Sequence, residues 1–570
     1  MAKHALSSEP TSTHSLRARQ GWARRLPLVA LALVPLSYLV PAQASDEFSS
    51  GDKLRTLYSN HFSFTDDGLP QVTIEIMGGQ REIKLEGVNL IAMPDGEGGA
   101  RFTGIGNWTL HLEQSRPARL QEWIVVARFD ADENLDTEVE VAKWKQSGHR
   151  VKTFEIGTIF AVQGKVLDTR KTLIGIDPVA SGKGLAKSRQ LSERHHINAT
   201  FHTELLRRPS GTIVARNGEL EIRNPSVIWF ATKVEKDTIT VKNVVAGGGG
   251  SQLGKSKARD RRYFGSVYVT VGSDGKLTVA NAVAADDLLS GLVPSEMFPD
   301  APMEALKAQT VAARTELLQK LGVRHMGDPF LLCATQHCQV YSGAGHEHPR
   351  TNKAVRQTRG QVLVNTKKEL VDARYSATCG GHSEHNEFVW GGDADPNLRG
   401  HYDGPSSSQW SKGVSESTVS SFLKQEGGYC AHTKYSKGRF RWKVSATAKL
   451  LSRRIAKKYS SIGNLQRIEP LRRGVSGRII RLRLVGSQKS ITVEGELTIR
   501  RLLGGLRSSL FTVKALGPKN QPTTFEFRGA GFGHGVGMCQ LGAIGMASEK
   551  HKVSEILGHY YRHTSLQRLY

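Results

Sequence analysis

Beyond residue 40 the sequence has no apolar run long enough to cross a bilayer, and it has no repeat of fixed period. The first absence excludes an internal membrane span and leaves a soluble mature chain as the expectation. The second excludes a repeat architecture. Acidic residues are scarce, 53 Asp and Glu against 78 Lys and Arg, for a formal charge of +25. Cysteine is scarcer: Cys333, Cys338, Cys379, Cys430 and Cys539 are the full set. An odd count in an oxidising compartment leaves at least one thiol unpaired, unless some bind metal or the protein pairs between chains. What is present, 59 Gly, 20 Pro, 38% apolar and 23% charged residues, suits a globular, loop-rich, strand-containing chain. At 570 residues it exceeds one compact core, so two to four domains are expected.

The amino terminus reads as a targeting segment. Lys3, Arg17, Arg19, Arg24 and Arg25 face a single acid, Glu9, and an apolar run follows from Leu26 to Val40. It ends in Pro41-Ala42-Gln43-Ala44-Ser45, a small-x-small cleavage pattern, so residues 1–44 are expected to be a signal peptide and the protein to be exported. Export changes the reading of the positive charge. From Lys434 to Arg483 sixteen Lys or Arg stand against Glu469 alone, interleaved with Phe440, Trp442 and Tyr459. For an exported chain the partner of such a stretch is the anionic envelope rather than nucleic acid; a solvated basic face is the alternative.

Residues 71–125 alternate apolar and polar positions as short strands do (Val72, Ile74, Ile76; Ile83, Leu85). From Glu122 the pattern becomes strand, helix, strand, strand, with Leu135, Val139, Val141 and Trp144 near helical spacing over Asp132–Gln146. This order resembles half of a SPOR domain, a small fold that binds peptide-stripped glycan, over about 122–177. Residues 178–262 read as a strand-containing connecting region, with a linker-like Gly247–Gly250 and a basic segment Ser251–Arg262. The expected class is α+β: a β-rich region over 45–177, the connector, and a mixed α/β domain over 263–570.

In that last domain a strand Tyr263–Thr270, a strand Leu277–Val283 and a short helix Asp286–Leu292 precede Val293-Pro294-Ser295-Glu296-Met297. Asp300 is placed to cap the next helix, Met303–Leu321, with Pro302 in its first turn. Glu296 then sits in a turn just before a helix amino terminus, with Lys307 and Arg314 on one stripe of that helix. Burial raises the pKa of such a carboxyl, while cations and the helix dipole lower it. An acid catalyst working near neutrality needs burial to prevail.

Val293–Met297, Glu304-Ala305-Leu306-Lys307-Ala308-Gln309, Ala312–Thr315, Cys338–Gly343, Ala373–His382, Gly533–Ala543 and His559-Tyr560-Tyr561 are together similar to the signature of the SpoIID family (stage II sporulation protein D, or LytB-like amidase enhancer). The resemblance covers about residues 263–570. It implies a bacterial lytic transglycosylase that cuts between N-acetylmuramic acid and N-acetylglucosamine, in peptide-stripped strands, without water. Glu296 would protonate the departing oxygen and then take the proton of the C6 hydroxyl. Ordinary glycosidases need a second carboxylate; here Asp300, Asp372 and Glu387 are the nearest rivals and none stands at a family catalytic position. Lys307 and Arg314 match active-site positions, where they would orient the glutamate or hold the glycan; Arg314 as a structural ion-pair partner is the alternative. Tyr375, Gly380, Gly381, His534 and one of Tyr560 and Tyr561 are expected along the substrate groove, His534 having a packed turn as its other reading.

Cys333 and Cys338, with His337 beside them and His325 upstream, resemble the zinc-binding segment of some members. Zinc, a disulfide (with Cys379 as another candidate partner) and free thiols remain open. The reaction itself requires no cofactor, so a zinc here would be structural. The expected partners are peptidoglycan glycan strands and an N-acetylmuramoyl-L-alanine amidase, and the expected location is the periplasm or cell envelope. Two other readings compete. A non-enzymatic wall-binding amidase enhancer would have no need of Glu296, and a zinc hydrolase would lose activity on chelation.

Overall fold

A computed structural model describes residues 57–59, 63–65, 68–94, 100–162, 164–234, 236–245, 258–335, 337–405 and 408–570. The expected signal peptide, Gly247–Gly250 and most of the basic segment after them lie outside the described residues.

The alternating pattern at the start of the described chain builds one large sheet. Its first strands are β1 (Gln71–Gln80), β2 (Glu82–Met93) and β3 (Phe102–Arg116). Val72, Ile74 and Ile76 point into the core as their spacing requires, at 0%, 0% and 7% exposure.

The chain then leaves the sheet to form a separate four-stranded unit. This comprises β4 (Arg119–Asp130), α1 (Asn134–Gln146), β5 (Val151–Ile156), a hairpin of β6 (Ile159–Val162) and β7 (Lys165–Asp168), β8 (Lys171–Ala180), α2 (Gly184–His195) and β9 (Thr200–Arg207). Its antiparallel order is β5-β8-β4-β9, a split βαββαβ arrangement. The SPOR-like pattern expected over 122–177 therefore covers only its first part, and residues 178–207 complete the unit rather than connect domains. The second helix escaped notice because it is polar, burying only Gly184, Ser188 and Leu191. In α1 only Trp144 is buried, whereas Leu135 and Val139 lie in solvent.

The large sheet resumes with β10 (Ser210–Asn217), β11 (Leu220–Pro225), β12 (Val227–Ala231), β13 (Ile239–Val244), β14 (Arg259–Tyr263), β15 (Ser266–Val271), β16 (Leu277–Ala284) and the short β17 (Leu332–Cys333). Its order is β11-β10-β3-β2-β12-β15-β16-β1-β17, with β13 also on β2 and β14 on β13. β1 runs antiparallel to β16, Gln71 opposite Ala284. The boundary expected at 262/263 thus cuts through a single sheet and is no structural boundary. Pairing between strands some 200 residues apart leaves no local mark in a sequence.

Two helices follow, α3 (Ala285–Glu296) and α4 (Met303–Lys320). α4 is buried on nearly all sides. Its Ala313, Leu317 and Leu318 pack into the core under the large sheet, while Leu306, Ala308 and Val311 join a second core with Met538, Tyr560 and Tyr561. Around it lie α5 (Pro349–Gln357), β18 (Gln361–Val364), β19 (Tyr375–Ser376), β26 (Met538–Cys539), α6 (Gln540–Ser548), α7 (Val553–Tyr560) and β27 (Ser565–Arg568). β19 and β26 run parallel, Tyr375 opposite Met538. Between them the chain builds two three-stranded sheets, β20 (Arg441–Thr447), β25 (Thr524–Ala530) and β24 (Phe511–Leu516), and β21 (Leu465–Arg473), β22 (Ile479–Gly486) and β23 (Ser490–Glu494). Helices and antiparallel strands are thus combined as the α+β class requires.

Candidate active site

Glu296 is the last residue of α3, which runs through Pro294 rather than ending before it. The carboxyl therefore lies at a helix carboxy terminus, where the dipole is negative and opposes ionisation. This reverses the sign expected from a position before α4. Burial, reinforced by the nearby Glu316 and only partly offset by Lys320, pushes the Glu296 pKa up from 4.5 to about 7. Asp300 is not a cap: the N-cap of α4 is Pro302, and Asp300 instead binds Lys434 and Tyr435.

Gln540, the first residue of α6, anchors this end of α3 by donating from Nε2 to the Glu296 carbonyl oxygen at 2.9 Å and to Gln309 Oε1 at 3.0 Å. Tyr375 lies within electrostatic reach of both Glu296 and Glu316, and its hydroxyl faces Gln309. Glu316 is the carboxylate the fold brings to Glu296, and the sequence reading did not single it out. Its oxygens are engaged by Lys320 Nζ at 2.6 Å and Gln339 Nε2 at 2.9 Å.

His534 packs its ring 4.9 Å from that of Trp390, over which the Arg374 guanidinium lies at 4.8 Å. Burial and the charges of Arg374, Arg478 and Arg500 depress the His534 pKa to about 3, so the ring is neutral. Its Nδ1 accepts from the Val536 N–H at 3.0 Å, which puts the proton on Nε2. Trp390 is 47% exposed, and Phe298, two residues after the acid, stacks on Tyr435 at 4.0 Å. These aromatics suit the apolar faces of sugar rings, and their scattered positions gave no signal in the sequence.

Several expected site residues have other employment. Arg314 is fully buried and binds Asp286 at 3.0 Å and the carbonyls of Thr358 and Gln361 at 2.7 and 3.2 Å, stapling α4 to α3, α5 and β18. Lys307, on the same stripe, pairs with Glu304 at 2.8 Å. Gln309, Glu316 and Lys320, on another face of α4, are the residues turned toward Glu296. Tyr560 donates to Asp403 and Tyr561 to the Arg374 carbonyl, both buried beneath the site. Gly380 (φ +80°) has no room for a Cβ, which would fall 2.5 Å from the Gly531 nitrogen, and Gly381 is packed against Phe422. Both glycines adopt the left-handed backbone of a tight turn, at φ +80° and +102°. In the basic stretch, Arg441, Arg473 and Arg478 turn inward to backbone carbonyls, while Lys449, Arg453, Lys457 and Arg467 remain on the surface.

Cys333, Cys338, His325 and His337 converge with their donor atoms all within 4.8 Å of one another. The sulfurs are 3.3 Å apart, far beyond a disulfide bond of about 2.05 Å. His325 Nε2 is 3.3 Å from Cys338 Sγ, its Nδ1 is 2.9 Å from Asp328 Oδ2, and it adopts a left-handed backbone (φ +55°). A histidine backed by a carboxylate, two sulfurs and a second histidine fit tetrahedral zinc. Lys320, the partner of Glu316, also donates to the Cys338 carbonyl at 2.6 Å, so this cluster abuts the acid's surroundings.

Against known proteins, residues 273–365 match the family described as Stage II sporulation protein, and residues 384–537 match a domain of unknown function, DUF8618. An uncharacterized protein of Brachyspira hyodysenteriae is 31% identical over 302 residues, covering 52% of this chain and 70% of that protein. The chain belongs to the SpoIID family. A Bacillus amyloliquefaciens stage II sporulation protein D is 28% identical over 294 residues, 49% of this chain and 73% of that protein. A Bacillus subtilis amidase enhancer is 28% identical over 300 residues, 49% of this chain but only 40% of that protein. The SpoIID family match covers α3, α4 and the Cys/His cluster, and the DUF8618 match covers both three-stranded sheets. Among the described residues no helix is long and apolar enough to cross a membrane.

Proposed function

We propose that this SpoIID protein is an exported lytic transglycosylase acting on the glycan strands of peptidoglycan. The observation that carries this reading is a carboxyl held near pKa 7 beside a second carboxylate whose oxygens are already engaged. Glu316 is in no position to serve as nucleophile or to activate water, so one acid must do the work of two. Glu296 gives its proton to the glycosidic oxygen as the C1–O4 bond breaks. The resulting carboxylate takes the proton of the C6 hydroxyl as O6 bonds to C1, and the acid is regenerated with no water consumed. Trp390, exposed beside neutral His534, is suited to stack on a sugar ring, and His534, its N–H engaged by the Tyr375 backbone, holds the indole in place.

Zinc on Cys333, Cys338, His325 and His337 would supply a rigid cross-link and no chemistry. The residues it would order present the Cys338 carbonyl to Lys320, and so hold Glu316 in place behind the acid. On the face opposite its helices the split βαββαβ unit carries Phe154 and His202, with Lys152 beside Phe154 and Trp123 buried beneath, a surface suited to sugar.

The test is mass spectrometry of products from peptide-stripped glycan, with Glu296→Gln as control. Anhydromuramic ends from the unmodified protein alone are expected. Intact strands bound by both proteins, together with faster cleavage of peptidoglycan by an added amidase, would replace this reading with the role named for the Bacillus subtilis relative.

A further inference from the structure

A second cluster of ligand-type side chains lies behind β19 and β26. Cys379, Asp403, Cys430 and Cys539 come from four separate stretches of chain, are all at or below 1% exposure, and have donor atoms within 4.8 Å of one another. Cys379 Sγ is 3.7 Å from Cys430 Sγ and 3.3 Å from Asp403 Oδ2. Zinc–sulfur bonds of about 2.3 Å at tetrahedral angles set sulfurs roughly 3.8 Å apart; a disulfide would hold them at about 2.05 Å. We propose that these four side chains bind a second, structural zinc ion.

The surroundings are those of a thiolate centre. Cys539 is the N-cap of α6, and its sulfur accepts from the Gly542 N–H at 3.3 Å and the Cys379 N–H at 3.2 Å. Such donors favour sulfur in its anionic, metal-binding form. Tyr560 donates to Asp403 Oδ1 at 2.7 Å, which leaves Oδ2 to the sulfurs, and His559 Nε2 lies 3.6 Å from Oδ1. This is the outer shell that a ligating carboxylate ordinarily has. Gly542 gives the carboxylate room: a Cβ there would fall 2.7 Å from both Asp403 oxygens and closer still to the Tyr560 hydroxyl. Three thiolates and a carboxylate exceed the charge of one divalent ion by two. Arg478, donating to the Cys379 carbonyl at 2.9 Å, and Arg441, donating to the Gly380 carbonyl at 2.9 Å, offset the excess. Four protein ligands in a closed site leave no position for water, so the ion holds structure and performs no hydrolysis.

Two consequences follow. The odd cysteine count is resolved, because the first cluster uses two thiols and this one the remaining three, whereas a Cys379–Cys430 disulfide would strand Cys539. The ion would also close the base of the DUF8618 segment: Cys379 and Cys539 lie just outside the two ends of the match over 384–537, and Asp403 and Cys430 lie inside it. It would fix that segment to the strand pair that carries Tyr375 and leads into Gln540.

The test is the metal content of purified full-length protein by inductively coupled plasma and native mass spectrometry, alongside a Cys333→Ser/Cys338→Ser variant and a peptide map of the unmodified protein. Two zinc ions per unmodified chain, or one ion retained by the variant, support the second centre. A single ion in the unmodified chain with none in the variant overturns it. So does a peptide map showing Cys379 linked to Cys430. Should the variant fail to fold, zinc-edge X-ray absorption of the unmodified protein assigns a single ion: two sulfurs with two histidines overturn the second centre, and three sulfurs with one oxygen support it.

Discussion

At the scale of single residues, the proposed reaction turns on one proton. Burial lifts the Glu296 pKa to about 7, so the acid form needed for the first step is lost as pH rises through neutrality. The basic limb of kcat/KM is expected near pH 7, and a profile flat to pH 9 would remove Glu296 as the acid. Glu316 is one cause of the elevation and Lys320 opposes it. Glu316→Gln removes the negative charge and leaves the cation unpaired, so both changes move the basic limb to lower pH. The same raised pKa links to stability with a definite sign. The contribution from neutral Glu296 is complete below its unfolded value near 4.5 and is lost as pH rises through about 7. Thermal melts of Glu296→Gln should therefore gain on the unmodified protein between those values and above. Trp390→Ala is expected to raise KM several-fold with a smaller change in kcat, measured on soluble glycan; a loss confined to kcat would refute a stacking role.

At the scale of elements, α4 explains why some of the site was legible and some was not. Glu296 and the Cys/His set stand in short ordered motifs, and it is the resemblance of those motifs to the SpoIID family that singles them out. α4 is buried on nearly every side, so no amphipathic stripe reveals which face meets the acid. Lys307 and Arg314 attracted attention through their motif positions, while Gln309, Glu316 and Lys320 did the positioning unseen. Pro294 misled in a different way, because a proline ordinarily ends a helix and here α3 continues through it. Arg314→Ala should cost about 3 kcal/mol or more of stability, since it leaves Asp286 and two carbonyls without their buried partner. Urea denaturation measures this, and residual activity per folded molecule should stay close to that of the unmodified protein. A large loss of turnover in a fully folded variant would return Arg314 to the catalytic group.

For the whole molecule, the sequence order of regions is not their structural order. The βαββαβ unit is inserted between β3 and β10, strands that pair with each other, so both of its ends are fixed to the large sheet. Its helix-free face is not wholly open: Val323 and Met326 pack against Val125, Ile156 and Leu173, and the Gly157 N–H donates to the Gly322 carbonyl at 2.6 Å. That contacting loop also carries His325, so the Cys333, Cys338, His325 and His337 cluster sits between the inserted unit and the surroundings of Glu296. Loss of a metal that orders a loop raises the exchange of every amide whose protection depends on that loop. Replacing Cys333 and Cys338 with Ser should therefore speed hydrogen exchange in three places: residues 321–338, the facing strands β5 and β8, and the α4 turn holding Glu316. The sheet of β20, β24 and β25, which takes no part in these contacts, should keep its protection. Faster exchange confined to 321–338 would mean that the cluster stabilises only its own loop, and that the inserted unit is held by its strand connections alone.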